Sequence, residues 1–327
     1  MIDPSDRRPH ETGPAPTESL PSLDAADSVL ATGGAGFIGT HLVEALAPDH
    51  SVTVYDTDRP ADGHPPGVDH VTADVRDVST LRDYVADADV VFHEAAVADV
   101  SQSIRRPVAT HETNLDGTLS LLECARDTDT RVVFASSAAI YGHPERLPIC
   151  EDHPKRPTTP YGLEKLAADQ YTRLYADLYD VETVALRYFN VYGPRQGAGD
   201  YSGVITTFVR QALAGEDLTV HGDGEQTRDF VFVEDIVRAN LLAATTDAVG
   251  ESYNVGTGES VTIRELAALI RRLSDADVDI VHTESRAGDI DHSVADSSKA
   301  ERRLDFEPTV SLEAGLDRTI AWFEASD

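Results

Sequence analysis

Lysine is nearly missing from this chain of 327 residues: it stands only at positions 155, 165 and 299, and all the other basic residues are arginine. Against 27 basic residues stand 58 acidic ones, for a net charge of −31. That shortage of positive charge excludes a polybasic nucleic-acid surface, whose binding depends on Lys and Arg neutralising phosphates. It excludes a polybasic membrane anchor for the same reason. Cysteine is scarce too. Cys124 and Cys150 form no Cys-x-x-Cys, so there is no disulfide framework, and the usage fits a reducing cytosol. No run of 18 apolar residues exists, which excludes a transmembrane helix. The N-terminus lacks the charged-then-apolar pattern of a secretory signal.

What is present is enough for a core. Hydrophobic residues make up 41% of the chain, which excludes wholesale disorder, and the length suits two domains. The acid excess reads as an adaptation to solvent rather than a binding site. In molar salt the Debye length falls to roughly 3 Å, so crowded carboxylates stop repelling one another. Acid-rich, lysine-poor chains of this kind resemble those of salt-loving archaea, and the reading predicts instability in dilute buffer.

Residues 1–26 carry five prolines and few apolar residues and are expected to be a disordered tail. Order is expected to begin at Ser28–Thr32, a short buried-strand pattern. A glycine turn and a helix over about 37–47 follow. Further strands are readable at 52–55, 70–72, 90–93, 131–135 and 182–187, with helices near 79–86, 109–126 and 161–179 between them. Alternating strands and helices imply an α/β fold with a doubly wound parallel sheet, Rossmann-like. After about residue 190 the rhythm breaks, and helices are expected near 203–214, 234–246, 262–273 and 311–325. The expected division is a cofactor domain over 27–190, receiving part of about 229–250, and a smaller C-terminal α/β substrate domain over 191–327.

The glycine turn reads TGGAGFIG over residues 32–39. Gly33, Gly36 and Gly39 let the backbone turn tightly and approach a pyrophosphate, which the helix N-terminus attracts. The pattern is informative because a predicted strand and helix flank it. Asp56 ends the second strand 20 residues after Gly36. A carboxylate there meets the adenosine ribose hydroxyls and repels a 2′-phosphate, favouring NAD. Asp74 follows the third strand, where it could meet the adenine amino group or cap a helix.

Tyr161 and Lys165 lie four residues apart at the start of a predicted helix, on one face. A tyrosine phenol has a pKa near 10, and a nearby ammonium and an oxidised nicotinamide both favour its phenolate. Lowering it by roughly three units needs about 4 kcal/mol. The phenolate can then take a proton from a sugar hydroxyl while NAD takes the hydride. Ser136 and Ser137 end the strand over 131–135, at the crevice where ligands of such sheets bind.

With glycine motif, acid, strand-end serine and Tyr-x-x-x-Lys in this order, the chain resembles the extended short-chain dehydrogenase/reductase superfamily. Within it the chain is similar to the NAD-dependent nucleotide-sugar epimerases and dehydratases. The resemblance runs from about residue 28 to 322 and includes HEAA at 93–96, NLDGT at 114–118, RYFNVYGPRQ at 187–196, GDGEQTRDF at 222–230 and RAGD at 286–289. It implies Tyr161 as base, Lys165 as its tuner and ribose ligand, and Ser137 as hydrogen-bond partner of the reacting oxygen. It implies Phe37, Ile38, Val75, Ala95, Asn114 and Tyr188 beside NAD, in addition to the glycines and acids above. It implies Asn190, Val204, Arg228, Arg286 and Asp289 around a UDP-sugar, the arginines clamping the diphosphate. It also implies a homodimer through the helices near 103–126 and 161–179.

The same resemblance separates reactions. Dehydratases of the family follow the strand-end hydroxyl with an acid pair, and decarboxylases keep a glutamate nearby, but this chain has Ala138 and Ala139. Alanine moves no protons, which leaves reversible oxidation at C4, hence 4-epimerisation. Ser293, four residues past Asp289, is small where bulk tends to exclude an N-acetyl group, so N-acetylated sugars are admitted. A nucleotide-sugar 4,6-dehydratase, a UDP-glucuronate-type epimerase or decarboxylase, a net sugar oxidoreductase and a non-catalytic NAD-binding sensor are the alternatives. Relatives of the sensor kind lose the tyrosine or lysine, and both are here. No metal site is expected, since His143, Cys150 and His153 lack ligand-like spacing.

Overall fold

Val29, Leu30 and Ala31 are apolar on both faces of their strand, the mark of a strand covered on both sides. They belong to β1 (Ser28–Thr32), and the chain continues through α1 (Phe37–Leu46), β2 (Ser51–Asp56), β3 (Asp69–Thr72), α2 (Val78–Ala86) and β4 (Val90–His93). The computed structural model describes residues 20–23, 26–60, 63–197, 203–285 and 290–326. Most of the expected tail therefore lies outside the described residues. Leu23 and Ala26, within its expected span, are buried in the core beside α1.

The helical stretch expected over 109–126 is not continuous. After a short α3 (Val100–Arg105), it is built from α4 (Pro107–His111), a π-helical turn (Glu112–Asp116) and α5 (Gly117–Ala125). Pro107 opens α4 in its first turn, where its missing N–H costs nothing. Then come β5 (Arg131–Ser137), a 3₁₀ turn (Ala138–Ile140), α6 (Pro160–Tyr179) and β6 (Thr183–Tyr188). The Thr159 hydroxyl accepts from the Gly162 N–H and Pro160 stands in the first turn, so α6 starts at a defined point.

The second half supplies β7 (Asn190–Tyr192), α7 (Val204–Leu213), β8 (Leu218–His221), β9 (Thr227–Arg228), β10 (Phe230–Phe232), α8 (Val233–Thr245) and β11 (Glu251–Val255). It ends with β12 (Val261–Thr262), α9 (Ile263–Leu273), β13 (Ile280–Thr283), α10 (Ser298–Leu304) and α11 (Leu312–Ser326). Seven strands form one sheet in the order β11-β6-β5-β4-β1-β2-β3, every pair parallel. The order reverses between β1 and β4, and the crevice at that reversal is where such sheets bind ligands. The seventh strand, β11, was not legible in the sequence, because its Glu-Ser-Tyr-Asn-Val run alternates too weakly to stand out.

β7, β8 and β9 pair respectively with β10, β13 and β12 in three short sheets. A separate apolar cluster fills the space behind them, including Phe208, Val220, Phe232, Leu266, Leu316 and Phe323. Each such side chain contributes roughly 1.5–3 kcal/mol on burial. Among the described residues no helix is long and apolar enough to cross a membrane.

Candidate active site

The turn after β1 is shaped by backbone contact. Gly33 has φ +72°, and a Cβ there would sit 2.5 Å from the Ala95 nitrogen. A Cβ on Gly39 would sit 2.2 Å from the Gly33 carbonyl oxygen. Both positions therefore require glycine. Gly36 caps α1 without a side-chain hydrogen bond, and no acid stands in the first turn, so the helix N-terminus keeps its N–H groups and positive end. In front of it lies a cavity of about 540 Å³, lined by Gly33, Gly36, Asp56, Asp74, Val75 and Ala95 among others. These residues suit a dinucleotide: a glycine cradle for the pyrophosphate and a carboxylate at the ribose end.

The Asp56 carboxylate accepts from the Ala35 N–H at 2.9 Å and from the Asp58 N–H at 3.0 Å, so it also ties the glycine turn to β2. Asp74 is not a helix cap: Asp77 caps α2 by accepting from the Thr80 N–H. Asp74 is gripped by Arg76, whose side chain donates to both its oxygens and holds its carboxyl below the usual range. Phe37 and Ile38 open α1, with Phe37 edge-on to His41. Asn114 reaches the cavity indirectly. Its Oδ1 accepts from the Val97 N–H at 2.7 Å, and its Nδ2 donates to the Val97 carbonyl and to Glu164. Val97 is the residue that lines the cavity. The π-helical turn that carries Asn114 is the kind of local rewinding often found at sites.

Beyond the end of β5 the catalytic candidates come together. Tyr161, in the first turn of α6, lies near enough to Ser137, the last residue of β5, for the serine hydroxyl to favour its phenolate. The Ser137 oxygen accepts from the Ala139 N–H at 3.1 Å, which fixes the 3₁₀ turn. Lys165, one turn further along α6, is buried and donates to the Ala135 carbonyl at 2.7 Å. Burial pushes the Tyr161 phenol up to about 12, aided by Glu94 and Glu164, while the Ser137 hydroxyl opposes it. Burial draws Lys165 down to about 8. The Lys165 ammonium and an oxidised nicotinamide are the two cations expected to act against that rise. From about 12, phenolate at neutral pH needs about 7 kcal/mol rather than about 4.

The HEAA segment does more than the sequence suggested. His93 is fully buried, hydrogen-bonded to Thr32 at 2.7 Å and Thr118 at 3.0 Å, and burial drops it to about 3, so it is neutral. Glu94 lines the cofactor cavity and accepts from the Tyr188 hydroxyl at 2.8 Å. Its only sequence signal was a carboxylate directly after the apolar strand VVFH.

A second cavity of about 470 Å³ adjoins β7, α7 and the short sheets. Asn190, Val204 and Arg228 line it, together with Gln196, Thr219, His221 and Gln226, which sequence reasoning missed. The Asn190 amide donates to the Asp229 carbonyl at 2.9 Å, which orients it. Ser293 is buried beside β9, its N–H donating to the Thr227 carbonyl at 3.1 Å, and is not among the residues lining this cavity. Arg286 and Asp289 lie outside the described residues.

The NAD dependent epimerase/dehydratase family model matches residues 29–256. The chain belongs to that family. Its cofactor is therefore NAD, which the glycine cradle and Asp56 fit. It is 35% identical over 306 residues to the UDP-glucose 4-epimerase of Mycolicibacterium smegmatis, covering 90% of this chain and 97% of that one. It is also 35% identical over 312 residues to the UDP-N-acetyl-alpha-D-glucosaminuronate decarboxylase of Bacillus cytotoxicus, covering 90% and 97%. The crystal structure of the Thermotoga maritima UDP-glucose 4-epimerase with UDP-glucose superposes with a TM-score of 0.88 at 35% identity, covering 91% of this chain and 99% of that one.

Proposed function

We propose that this chain interconverts the C4 epimers of a UDP-sugar, with Tyr161 as base, Lys165 as its supporting cation and Ser137 as hydrogen-bond partner of the reacting oxygen. One observation carries the reading over the other reactions of the family. Ala138 and Ala139, which follow Ser137 in the 3₁₀ turn, offer no carboxyl group to a leaving hydroxyl or a uronate. NAD supplies a hydride acceptor, later a donor, and a positive ring. The residues then divide the work. Tyr161 takes the proton from the sugar O4 and returns it, Ser137 orients that oxygen, and Lys165 keeps a positive charge beneath the pair. Asn190 and Val204 hold the nucleotide sugar at the second cavity, Arg228 and Arg286 clamp its diphosphate, Asp289 accepts from the nucleoside ribose, and the small Ser293 admits an N-acetyl group.

A homodimer is part of the reading. Ile104, Val108, Leu163, Leu174 and Leu178 are exposed on α3, α4 and α6, and those on α6 recur at helical spacing. Apolar groups so grouped mark an interaction face. A particle of one chain's mass, 35.3 kDa, in molar salt would overturn it.

The test incubates the protein in roughly molar KCl, with no added NAD, with UDP-glucose and separately with UDP-N-acetylglucosamine. Proton NMR should show the C4 epimer with no net NADH. The faster sugar reads the Ser293 inference. A 4-keto-6-deoxy product, or release of carbon dioxide in a third incubation with a UDP-uronate, would overturn the reading.

A further inference from the structure

Lys165 is buried; its ammonium donates to the Ala135 carbonyl at 2.7 Å and lies 4.9 Å over the Phe134 ring. A carbonyl carries a partial charge, so the ammonium needs a counter-charge nearby. Two carboxylates act on it, Glu94 first and Glu164 second. Glu164 is fully engaged on its own side of α6, accepting from the Thr110 hydroxyl at 2.9 Å and the Asn114 amide at 2.7 Å. Glu94 stands at the end of β4 on the cofactor cavity. It accepts from Tyr188 of β6 at 2.8 Å, and that hydroxyl accepts in turn from Asn240 of α8 at 2.8 Å. Three elements thus converge on one carboxyl group, and the register of β4 with β5, His93 opposite Phe134, sets Glu94 beside Ala135, whose carbonyl the Lys165 ammonium meets.

We propose that Glu94 is the counter-charge of Lys165 and a positioning residue of the reaction, setting the pH range in which the Tyr161 phenolate and the Lys165 ammonium coexist. This rests on the Tyr161–Lys165 reading above. The groups in electrical reach are few. Lys165 feels Glu94 and Glu164, and it in turn acts on His93, which is neutral. Tyr161 feels Glu94 and Glu164, and the Ser137 hydroxyl favours its phenolate. Glu94 feels Lys165 and accepts from Tyr188, whose hydroxyl is itself held by Asn240. Negative charge at Glu94 raises both partners, making the ammonium easier to keep and the phenolate harder to form. Burial lifts Glu94 itself to about 7, so its charge is complete above neutral pH and fades below.

The position matters for this chain in particular. Its many surface carboxylates are silenced in molar salt, where the Debye length is roughly 3 Å, whereas a buried charge keeps its field. Groups inside the fold, such as Glu94 and Glu164, then keep their hold on Tyr161 and Lys165.

The experiment uses NAD-loaded protein in roughly molar KCl and reads two quantities: the pH dependence of kcat, and the ultraviolet absorbance of tyrosinate. The tyrosinate step missing from Tyr161→Phe belongs to Tyr161. Glu94→Gln should move both limbs of the kcat profile, and that tyrosinate step, to lower pH by about half to one unit. Glu94→Asp keeps the charge and should restore the profile. Tyr188→Phe deprives the carboxylate of a hydrogen bond and so weakens its charge. It should move the profile the same way by less, and it stands in should Glu94→Gln fail to fold. A Glu94→Gln profile that superimposes on the original, or a Glu94→Asp profile displaced as far as that of Glu94→Gln, would overturn the proposal. Turnover surviving in Tyr161→Phe would instead sink the base assignment, while the tyrosinate step would still report the field of Glu94.

Discussion

Around the glycine turn, Gly33, Ala35 and Ala95 bound the cofactor cavity with backbone and methyl groups, with Asp56, Asp74 and Glu94 further round it, whereas His221, Gln226, Arg228 and Phe230 bound the second cavity with longer side chains. The first wall follows the ends of two adjacent strands, β1 and β4, of one parallel sheet. The second is gathered from β7, α7, β8, β9, β10 and α9. A wall of backbone has no slack, because an added atom meets another main chain. A wall of side chains can be cut back one group at a time, and each cut leaves the rest standing. The first therefore suits a group held in one fixed pose, and the second a group whose shape can vary.

The comparison breaks most visibly at Gly33. Gly33→Ala forces an alanine to φ +72° with its Cβ 2.5 Å from the Ala95 nitrogen. The left-handed backbone alone costs roughly 1–2 kcal/mol, before any clash. The expected outcome is protein purified without NAD and without turnover, read by the absorbance of extracted cofactor. Retention of stoichiometric NAD would mean that the cradle yields, and the contrast between the walls would fall.

Arg228→Ala samples the second wall and should do less. A charge-assisted hydrogen bond is worth about 1.5–3 kcal/mol, so KM for the UDP-sugar should rise roughly tenfold to a hundredfold. Bound NAD and folding should be unchanged. Loss of NAD from this variant would show that the walls are coupled, and an unchanged KM would remove Arg228 from the diphosphate site.

The same difference explains what could be read from residue order. The cofactor wall is local: the glycine turn and its flanking strand and helix span residues 28–46, so motif and context stand together. The Tyr161–Lys165 pair is local as well. The second wall joins Asn190 to Thr219 to Ile263, and no short window contains it. Glu94 was quoted within a motif without a role, because its meaning lies in Tyr188, Asn240 and Lys165, up to 146 positions away in the chain. Asp74 was legible as a site residue but ambiguous as a cap, which only the Asp77–Thr80 hydrogen bond resolves. β11 was invisible as a strand because register with β6, not its own pattern, makes it one.

Lysine scarcity sharpens the last point, at the seam where the second half rejoins the sheet. Rarity drew attention to Lys165, yet the other two lysines are also tied into the fold. Lys155 donates to the Glu151 carbonyl. Lys299 donates from α10 to Glu251 at 2.8 Å and to the Ser252 carbonyl at 2.7 Å, and lies 4.7 Å over the Tyr253 ring. Rarity therefore marks lysines that a water-facing arginine cannot replace, whether or not they touch chemistry. What separates Lys165 is burial and the company of Tyr161. Lys299→Met should accordingly lower stability by about 1 kcal/mol, since its pair is partly exposed and such pairs are worth little. For a chain of this size that is a melting midpoint lower by roughly 2 °C, with NAD content and KM as before. Lys165→Met should leave the midpoint less affected than turnover, which should vanish. If Lys299→Met costs turnover at an unchanged midpoint, the seam belongs to the site, and the two walls are not as separate as their construction implies.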